Sequence, residues 1–346
     1  MNTKQNSNKG IIAFSIIFYI IAAALMVLGS IKDLQIDMTL YNPENYPAHF
    51  AEAFSQFVYW GIWGSAFTII FLCRRNLNDC LEVINKVFPF IKPFGDIKSK
   101  AYKVLNTILN IVTSLGFFVL AVIGWKKLIE NIIKNILKEL GKDDLSQIIY
   151  FIICAVFTAA MIFLFSKIDK RTLRKLEALA LAGVLLGIFY KIVEECKQIT
   201  GRVRFREMIA YSNGFVKENG MSDATHSPLT RAMADTTDFS AYTPWYKIGN
   251  DMGVYSHSDS FPSGHTTYCC SIFLTYPLCL AFNKLKKLAP FALIFSALYV
   301  IAVGFSRMVA GAHYFTDVVG AAMIGYALFL IVYKIYSSFT KKGIIG

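Results

Sequence analysis

Eight runs of this chain are apolar over close to the ~20 residues that a helix needs to cross ~30 Å of hydrocarbon. They are Gly10–Leu28, Phe57–Cys73, Leu105–Trp125, Ile148–Phe165, Leu176–Val193, Thr266–Phe282, Pro290–Phe305 and Val318–Tyr336. A segment inside a bilayer has no water to satisfy its backbone N–H and C=O groups, and a helix satisfies them within itself. The expected fold is therefore all-α, a polytopic membrane helical bundle of about eight transmembrane helices. Composition agrees, with 55% hydrophobic and 17% charged residues. A soluble domain carries more charge and breaks its apolar residues into shorter patterns. The first run is read as a retained anchor. Its apolar core is too long for a signal-peptide core, although Gly29-Ser30 would pass as a cleavage site.

The formal net charge of +12 would suit nucleic acid, but its distribution does not. With the N-terminus inside, the inner segments hold 20 of the 35 Lys and Arg, mainly in Arg74–Lys103 and Lys167–Lys175. The remainder falls mostly in one long outer loop, which the positive-inside rule weighs lightly. The basic excess is thus a topology signal with an attraction to anionic membrane lipids, and no nucleic-acid partner is expected. Seven cysteines form no CxxC, and most lie in or beside the apolar runs as small packing residues.

Between the runs, Phe88-Pro89-Phe90 and Lys92-Pro93-Phe94 suit a segment lying at the headgroups. In 126–140, Ile129, Ile132, Ile133, Ile136 and Leu140 recur at helical spacing. That pattern fits an amphipathic helix on the outer surface, or else a solvated extension of the third run. Arg202–Ser260 is long for a plain connector and holds Tyr242, Trp245, Tyr246, Tyr255, His226 and His257. Loops of this length are usually functional, and a lid or substrate-contacting cap is expected.

Three short clusters carry the chemistry. Lys197 and Arg204 follow the fifth run, Pro262-Ser263-Gly264-His265 precedes the sixth, and Ser306-Arg307 with His313 and Asp317 joins the seventh to the eighth. The alternation of spans places all three on one membrane face. Ionisable residues at span ends are costly unless solvated or functional. Lys197 offers a point charge, whereas Arg204 and Arg307 offer planar forks for phosphate oxygens. Arg202 and Arg206 lie beside Arg204, so the choice within that group stays open. Gly264 permits close backbone approach, Ser263 adds a hydroxyl, and the helix start presents free N–H groups to an anion. His265 suits a general acid. His313 and Asp317, four apart, would share one helix face, so that the carboxylate orients the ring and leaves the second nitrogen as nucleophile or base. A cation shared by that pair is the alternative, but no third ligand suggests itself.

Lys197-x6-Arg204, Pro262-Ser263-Gly264-His265 and Ser306-Arg307-x5-His313-x3-Asp317 resemble the three-part signature of the type 2 phosphatidic acid phosphatase superfamily. That superfamily includes membrane lipid phosphate phosphatases, polyprenyl diphosphate phosphatases and soluble vanadium haloperoxidases. The chain departs from it once, with Phe205 where a proline usually follows the arginine. The resemblance implies that His313 attacks phosphorus, Asp317 orients it, and His265 protonates the leaving group. Lys197, Arg204, Ser263, Gly264 and Arg307 would hold the phosphoryl oxygens, with no metal and no cofactor. It also implies a six-helix phosphatase core. The extra pair would be the first two spans, or the third and fourth inserted after a family-like start, since Asp33–Tyr46 resembles the outer loop of some bacterial members.

The expected organisation is an N-terminal transmembrane region at 1–175, with four spans and the amphipathic outer helix, and a catalytic region at 176–340 with four more. The expected activity is hydrolysis of a lipid or polyprenyl phosphate or diphosphate through a phosphohistidine, at the extracytoplasmic face of the plasma membrane. The alternatives are an inactive lipid-binding or scaffolding relative and a lipid phosphotransferase. A transporter fits less well, because such sites lie near the midplane and these clusters lie at span ends.

Overall fold

The computed structural model describes residues 2–74, 80, 81, 85, 100–139, 145–214, 229–247 and 259–341. The aromatic-proline runs at 88–94, together with His226, Tyr255 and His257, lie outside them. The described residues form helices and connections without a sheet, apart from one isolated bridge between Arg202 and Asp259. Helices α1 to α6 are Asn2–Leu40, Tyr46–Phe54, Phe57–Arg74, Lys100–Glu139, Gln147–Ser166 and Lys170–Cys196. Helices α7 to α12 are Phe205–Ser212, Arg231–Asp235, Gly264–Cys269, Thr275–Ala281, Ala289–Val309 and Phe315–Lys341.

Seven helical stretches among the described residues are long and apolar enough to cross a membrane: Lys9–Leu40, Tyr46–Arg74, Val104–Lys134, Gln147–Ser166, Lys170–Cys196, Lys286–Val309 and Phe315–Lys341. The protein is a multi-pass integral membrane protein. Each stretch contains one of the expected runs, so seven of the eight runs are met by one long helix. The exception is Thr266–Phe282, which breaks into α9, a 3-10 turn at Cys270–Leu274 and α10. Pro277 cannot donate to the carbonyl one turn back, so a continuous helix fails there. The Thr267 hydroxyl bonds the Ser263 carbonyl at 3.0 Å, while those of Thr275 and Ser296 bond the Ile272 carbonyl at 2.7 and 3.2 Å. Side chains that take up backbone carbonyls favour such tightened turns. Residues Thr266–Leu274 are all buried, so the apolar character of this run reflects packing within protein.

The chain divides into two compact units. One comprises Gln56–Gly187, Leu280–Asn283 and Leu330–Gly346. Within it α3 and α4 approach closely at Gly64, where a Cβ would lie 2.3 Å from the Trp125 ring. The Trp125 indole N–H donates to Thr68 Oγ1 at 3.0 Å, and Arg74 pairs with buried Glu177. Residues 126–139 continue α4 without a break, and Leu128, Ile129, Ile132 and Ile133 pack with Trp125, Ile153 and Cys154.

The other unit comprises Met1–Ser55, Ile188–Cys279 and Lys284–Phe329. Its α1 lies along α12, with the Ser15 and Tyr326 hydroxyls 2.8 Å apart and the Tyr19 hydroxyl donating to the Met323 carbonyl at 3.0 Å. Phe14, Phe18, Tyr326, Phe273 and Phe329 form an aromatic stack there. This packing carries the far end of α1, with Asp33, toward the connections that hold all three sequence clusters.

Candidate active site

A 3-10 turn at Lys197–Thr200 ends in Gly201, whose φ of 56° is a left-handed conformation that glycine adopts without strain. The chain then runs extended to Arg204, which caps α7. The three neighbouring arginines separate here. Arg202 is buried and donates to Asp33, to Asp317 and to Thr316 Oγ1 at 2.9 Å, with its guanidinium 4.0 Å from the Tyr314 ring centroid. Arg204 goes to Asp259 at 2.9 Å, and Arg206 goes to Glu52 at 3.3 Å. Phe205, the departure from the family pattern, is fully buried and stacks on Phe239 with centroids 5.2 Å apart, between Tyr41 and Tyr314. The side chain thus anchors α7, and with it the turn carrying Arg204 and Arg206.

Ser263 caps α9: its hydroxyl accepts from the Thr266 amide at 3.4 Å and from the Thr266 hydroxyl at 3.0 Å. Its own amide donates to the Asp317 carbonyl at 3.1 Å, which joins the second cluster to the third. At Gly264 a Cβ would lie 2.2 Å from Glu194 Oε2, so only glycine allows that approach. Glu194 in turn pairs with Lys197 Nζ at 3.3 Å, and Asp259 reaches the same ammonium at 3.6 Å.

The third cluster spans the turn between α11 and α12. Gly311 has φ 65°, its carbonyl accepts from the Arg206 amide at 2.8 Å, and a Cβ there would lie 2.7 Å from the Tyr41 ring. His313 precedes α12 and Asp317 lies in its first turn, so the two do not share a helix face as their spacing suggests. Nor is the expected direct bond the one that forms. His313 Nδ1 lies 2.8 Å from the Ser260 carbonyl and 3.8 Å from Asp317 Oδ2. A carbonyl only accepts, so Nδ1 carries the proton and Nε2 keeps the lone pair. Asp317 accepts from the Ser260 hydroxyl, the Tyr314 amide at 2.8 Å and Arg202. The carboxylate therefore holds Ser260, and Ser260 holds the ring.

Residues 220–341, which contain the second and third clusters, match the PAP2 superfamily. The chain carries a PAP2-superfamily domain. It is also 33% identical over 81 residues to phosphatidylglycerophosphatase B of Bacillus subtilis (strain 168), a match that covers 23% of this chain and 40% of that protein. The chain thus spans about two fifths of the length of that relative. No solved structure matches.

All eight residues expected at the site lie in one unit of the structure. Burial pushes the His313 ring well below its ordinary value, helped by the positive charges of Arg307, Lys197 and Arg204. His265 is depressed for the same reason, by burial first and then by Arg307. Arg206 is lowered to about 10 by burial, with the charges of Arg307 and Arg204 adding to the shift. Buried N–H donors at Nε of Arg204, Arg206 and Arg307 meet no acceptor among the described residues, which fits an anion with several oxygens.

Both rings are thus neutral in the folded protein near neutral pH, whereas in the unfolded chain they titrate near ~6.5. Below that value the unfolded chain binds more protons, so stability is flat above it and falls as pH drops through it. A phosphate ion beside the rings favours their charged forms and offsets the loss. Thermal midpoints in detergent, taken from about pH 8 to about pH 5, should decline in acid and decline less with inorganic phosphate. A midpoint that falls equally with and without phosphate would contradict this.

Four residues of the site were not expected: Glu52, Asp33, Asp259 and Ser260. Asp33 had one signal, in that Asp33–Tyr46 resembles a loop of bacterial members. Ser260 lies just before the Pro262–His265 run. Glu52 had no signal, since it sits in an ordinary amphipathic turn.

Proposed function

We propose that this protein is an integral-membrane phosphatase that removes the terminal phosphate from an amphiphilic lipid or polyprenyl phosphate or diphosphate. The observation that carries this reading is His313, held through Nδ1 by the Ser260 carbonyl while Arg307 of its own cluster and Lys197 and Arg204 of the first bring positive charge to it. In this reading His313 Nε2 attacks phosphorus, an N–P bond forms, and the bond from phosphorus to the leaving oxygen breaks. His265 gives its proton to that oxygen. The bound phosphate dianion lies beside His265 and raises its proton affinity against the depression seen without substrate. Water then attacks the phosphohistidine and passes its proton to His265, which restores both rings. Lys197, Arg204 and Arg307 stabilise the charge on the phosphoryl oxygens, with Ser263 and Gly264 beside them. Asp317 acts on His313 through Ser260, and buried Arg202 holds Asp317 from behind.

The relative's name, phosphatidylglycerophosphatase B, supports a lipid phosphate as the substrate class. A site at span ends would accept such a headgroup while the tail stays in lipid, and the basic inner segments support an extracytoplasmic face for it. Asp33 and Glu52 reach the site from 1–55, which supports an inserted third and fourth span over an extra first pair. The test is phosphate release by purified protein from phosphatidic acid, phosphatidylglycerol phosphate and undecaprenyl diphosphate in mixed micelles, with and without EDTA. Release from at least one, unchanged by EDTA, is expected. Loss in EDTA with recovery only on adding a divalent ion would reject the metal-independent mechanism.

A further inference from the structure

Glu52 belongs to none of the three clusters and lies outside the residues that match the superfamily. Its helix, α2, starts at Asn45, whose side chain accepts from the Ala48 amide at 2.9 Å. Both flanks of α2 are tied to the site unit. The Asn42 amide donates to the Val309 carbonyl at 2.9 Å, two residues past Arg307, and the Ser55 carbonyl accepts from the Tyr299 hydroxyl at 3.1 Å. The carboxylate is thus placed from a fixed helix and not from a mobile loop.

What it meets there is two guanidinium groups. Glu52 Oε1 pairs with Arg307 Nη1, and the same oxygen lies 3.3 Å from Arg206 Nη1. The Arg307 and Arg206 side chains are 2% and 5% exposed, so water does little to separate their charges. Two buried cations brought to one atom repel one another unless an anion is buried with them. His49 Nδ1 lies 3.7 Å from Oε2, and His265 is also close enough to act electrostatically on that carboxylate. The Nε donors of both arginines meet no acceptor among the described residues. The carboxylate therefore pairs by charge with Arg307, accepts a hydrogen bond from Arg206, and leaves donors of both arginines over for another anion.

We propose that Glu52 is a positioning residue of the phosphate site, which aims Arg307 at the substrate and recruits Arg206 as a fourth phosphate-facing cation. The inference rests on the reading of this site as one that binds and cleaves a phosphate ester. A neutral amide at 52 keeps the shape and removes the counterion. Arg307 and Arg206 then spread apart, while the pocket as a whole becomes more positive. Catalysis and phosphate binding should therefore move in opposite directions. A residue that only supports the fold would weaken both together.

The experiment compares wild type, Glu52→Gln and Glu52→Asp. It reads kcat on the best lipid substrate and, separately, the affinity for inorganic phosphate by thermal protection, which needs no turnover. For Glu52→Gln the expected results are a kcat lowered ~10–100-fold, the scale of a misaligned transition-state contact, and phosphate binding tightened about two- to fivefold by loss of one nearby negative charge. Glu52→Asp keeps the charge on a shorter stem, and its kcat should fall between the other two with phosphate affinity unchanged within about twofold. An unchanged kcat in Glu52→Gln, or phosphate binding weakened along with kcat, overturns the proposal. Should Glu52→Gln not fold, Glu52→Asp decides: wild-type kcat overturns the proposal and an intermediate kcat supports it. A wild type that releases phosphate from no lipid rejects the functional reading instead, while the phosphate-binding arm still reports on Glu52.

Discussion

Replacing His313 by alanine is expected to lower phosphate release by on the order of 10⁴-fold or more while leaving the amount of folded protein unchanged. No other ring can take its place. His265 is the nearest candidate, but its role is to deliver the proton, and it opens α9 on a different piece of chain. The substitution also removes a buried ring whose charged form the fold disfavours. The thermal midpoint of His313→Ala should therefore fall little, and its decline in acid should be shallower than that of wild type. Steady-state release from the preferred lipid, with folded protein quantified in parallel, checks the first part. Activity within tenfold of wild type would remove His313 from the nucleophile's place.

The largest expected effect on stability lies behind the nucleophile. Arg202 is enclosed by Asp33, Asp317, Thr316 and the rings of Tyr314 and Tyr242. It is 1% exposed, and both carboxylates are equally buried. Replacing it with methionine leaves two carboxylates facing one another in a dry site. Removing one partner of such a buried set costs about 3–5 kcal/mol, because the remaining charges are uncompensated. Arg202→Met should therefore shift the unfolding transition in detergent by that amount, and it should lower activity by loosening Asp317 and, through it, Ser260. The double variant Asp33→Asn with Arg202→Met should be less destabilised than the two single losses added together, since the second change removes a charge that the first left unpaired. Strict additivity would show that the three groups do not act as one set.

These two sites mark what the sequence makes legible and what it hides. Seven spans could be read because a helix in lipid needs only length and apolar composition, which are local properties. The run at 266–282 has the same composition, but it is apolar because protein surrounds it. Pro277 and the hydroxyl groups of Thr267, Thr275 and Ser296 then break it into turns. Composition alone does not distinguish lipid from protein as the apolar neighbour. The cations and histidines were readable because each lies in a short fixed spacing at a span end. Their counter-charges were not. Asp33 meets Arg202 across 169 residues, and Glu52 meets Arg206 across 154, with no local pattern linking either pair. The bond from His313 to Ser260 was hidden for another reason. A four-residue spacing suggests a shared helix face, but α12 starts only after His313. The turn leaves the ring nearer to the Ser260 carbonyl, just before the second cluster, than to the carboxylate.

The central claim is transfer of the phosphoryl group to His313, and a covalent intermediate tests it most directly. Protein mixed with lipid carrying a ³²P-labelled terminal phosphate, and denatured in alkaline detergent within the first turnover, should carry acid-labile label. His313→Ala should carry none. Rapid phosphate release by wild type with no label on the protein at any time, or equal label on His313→Ala, would contradict the account.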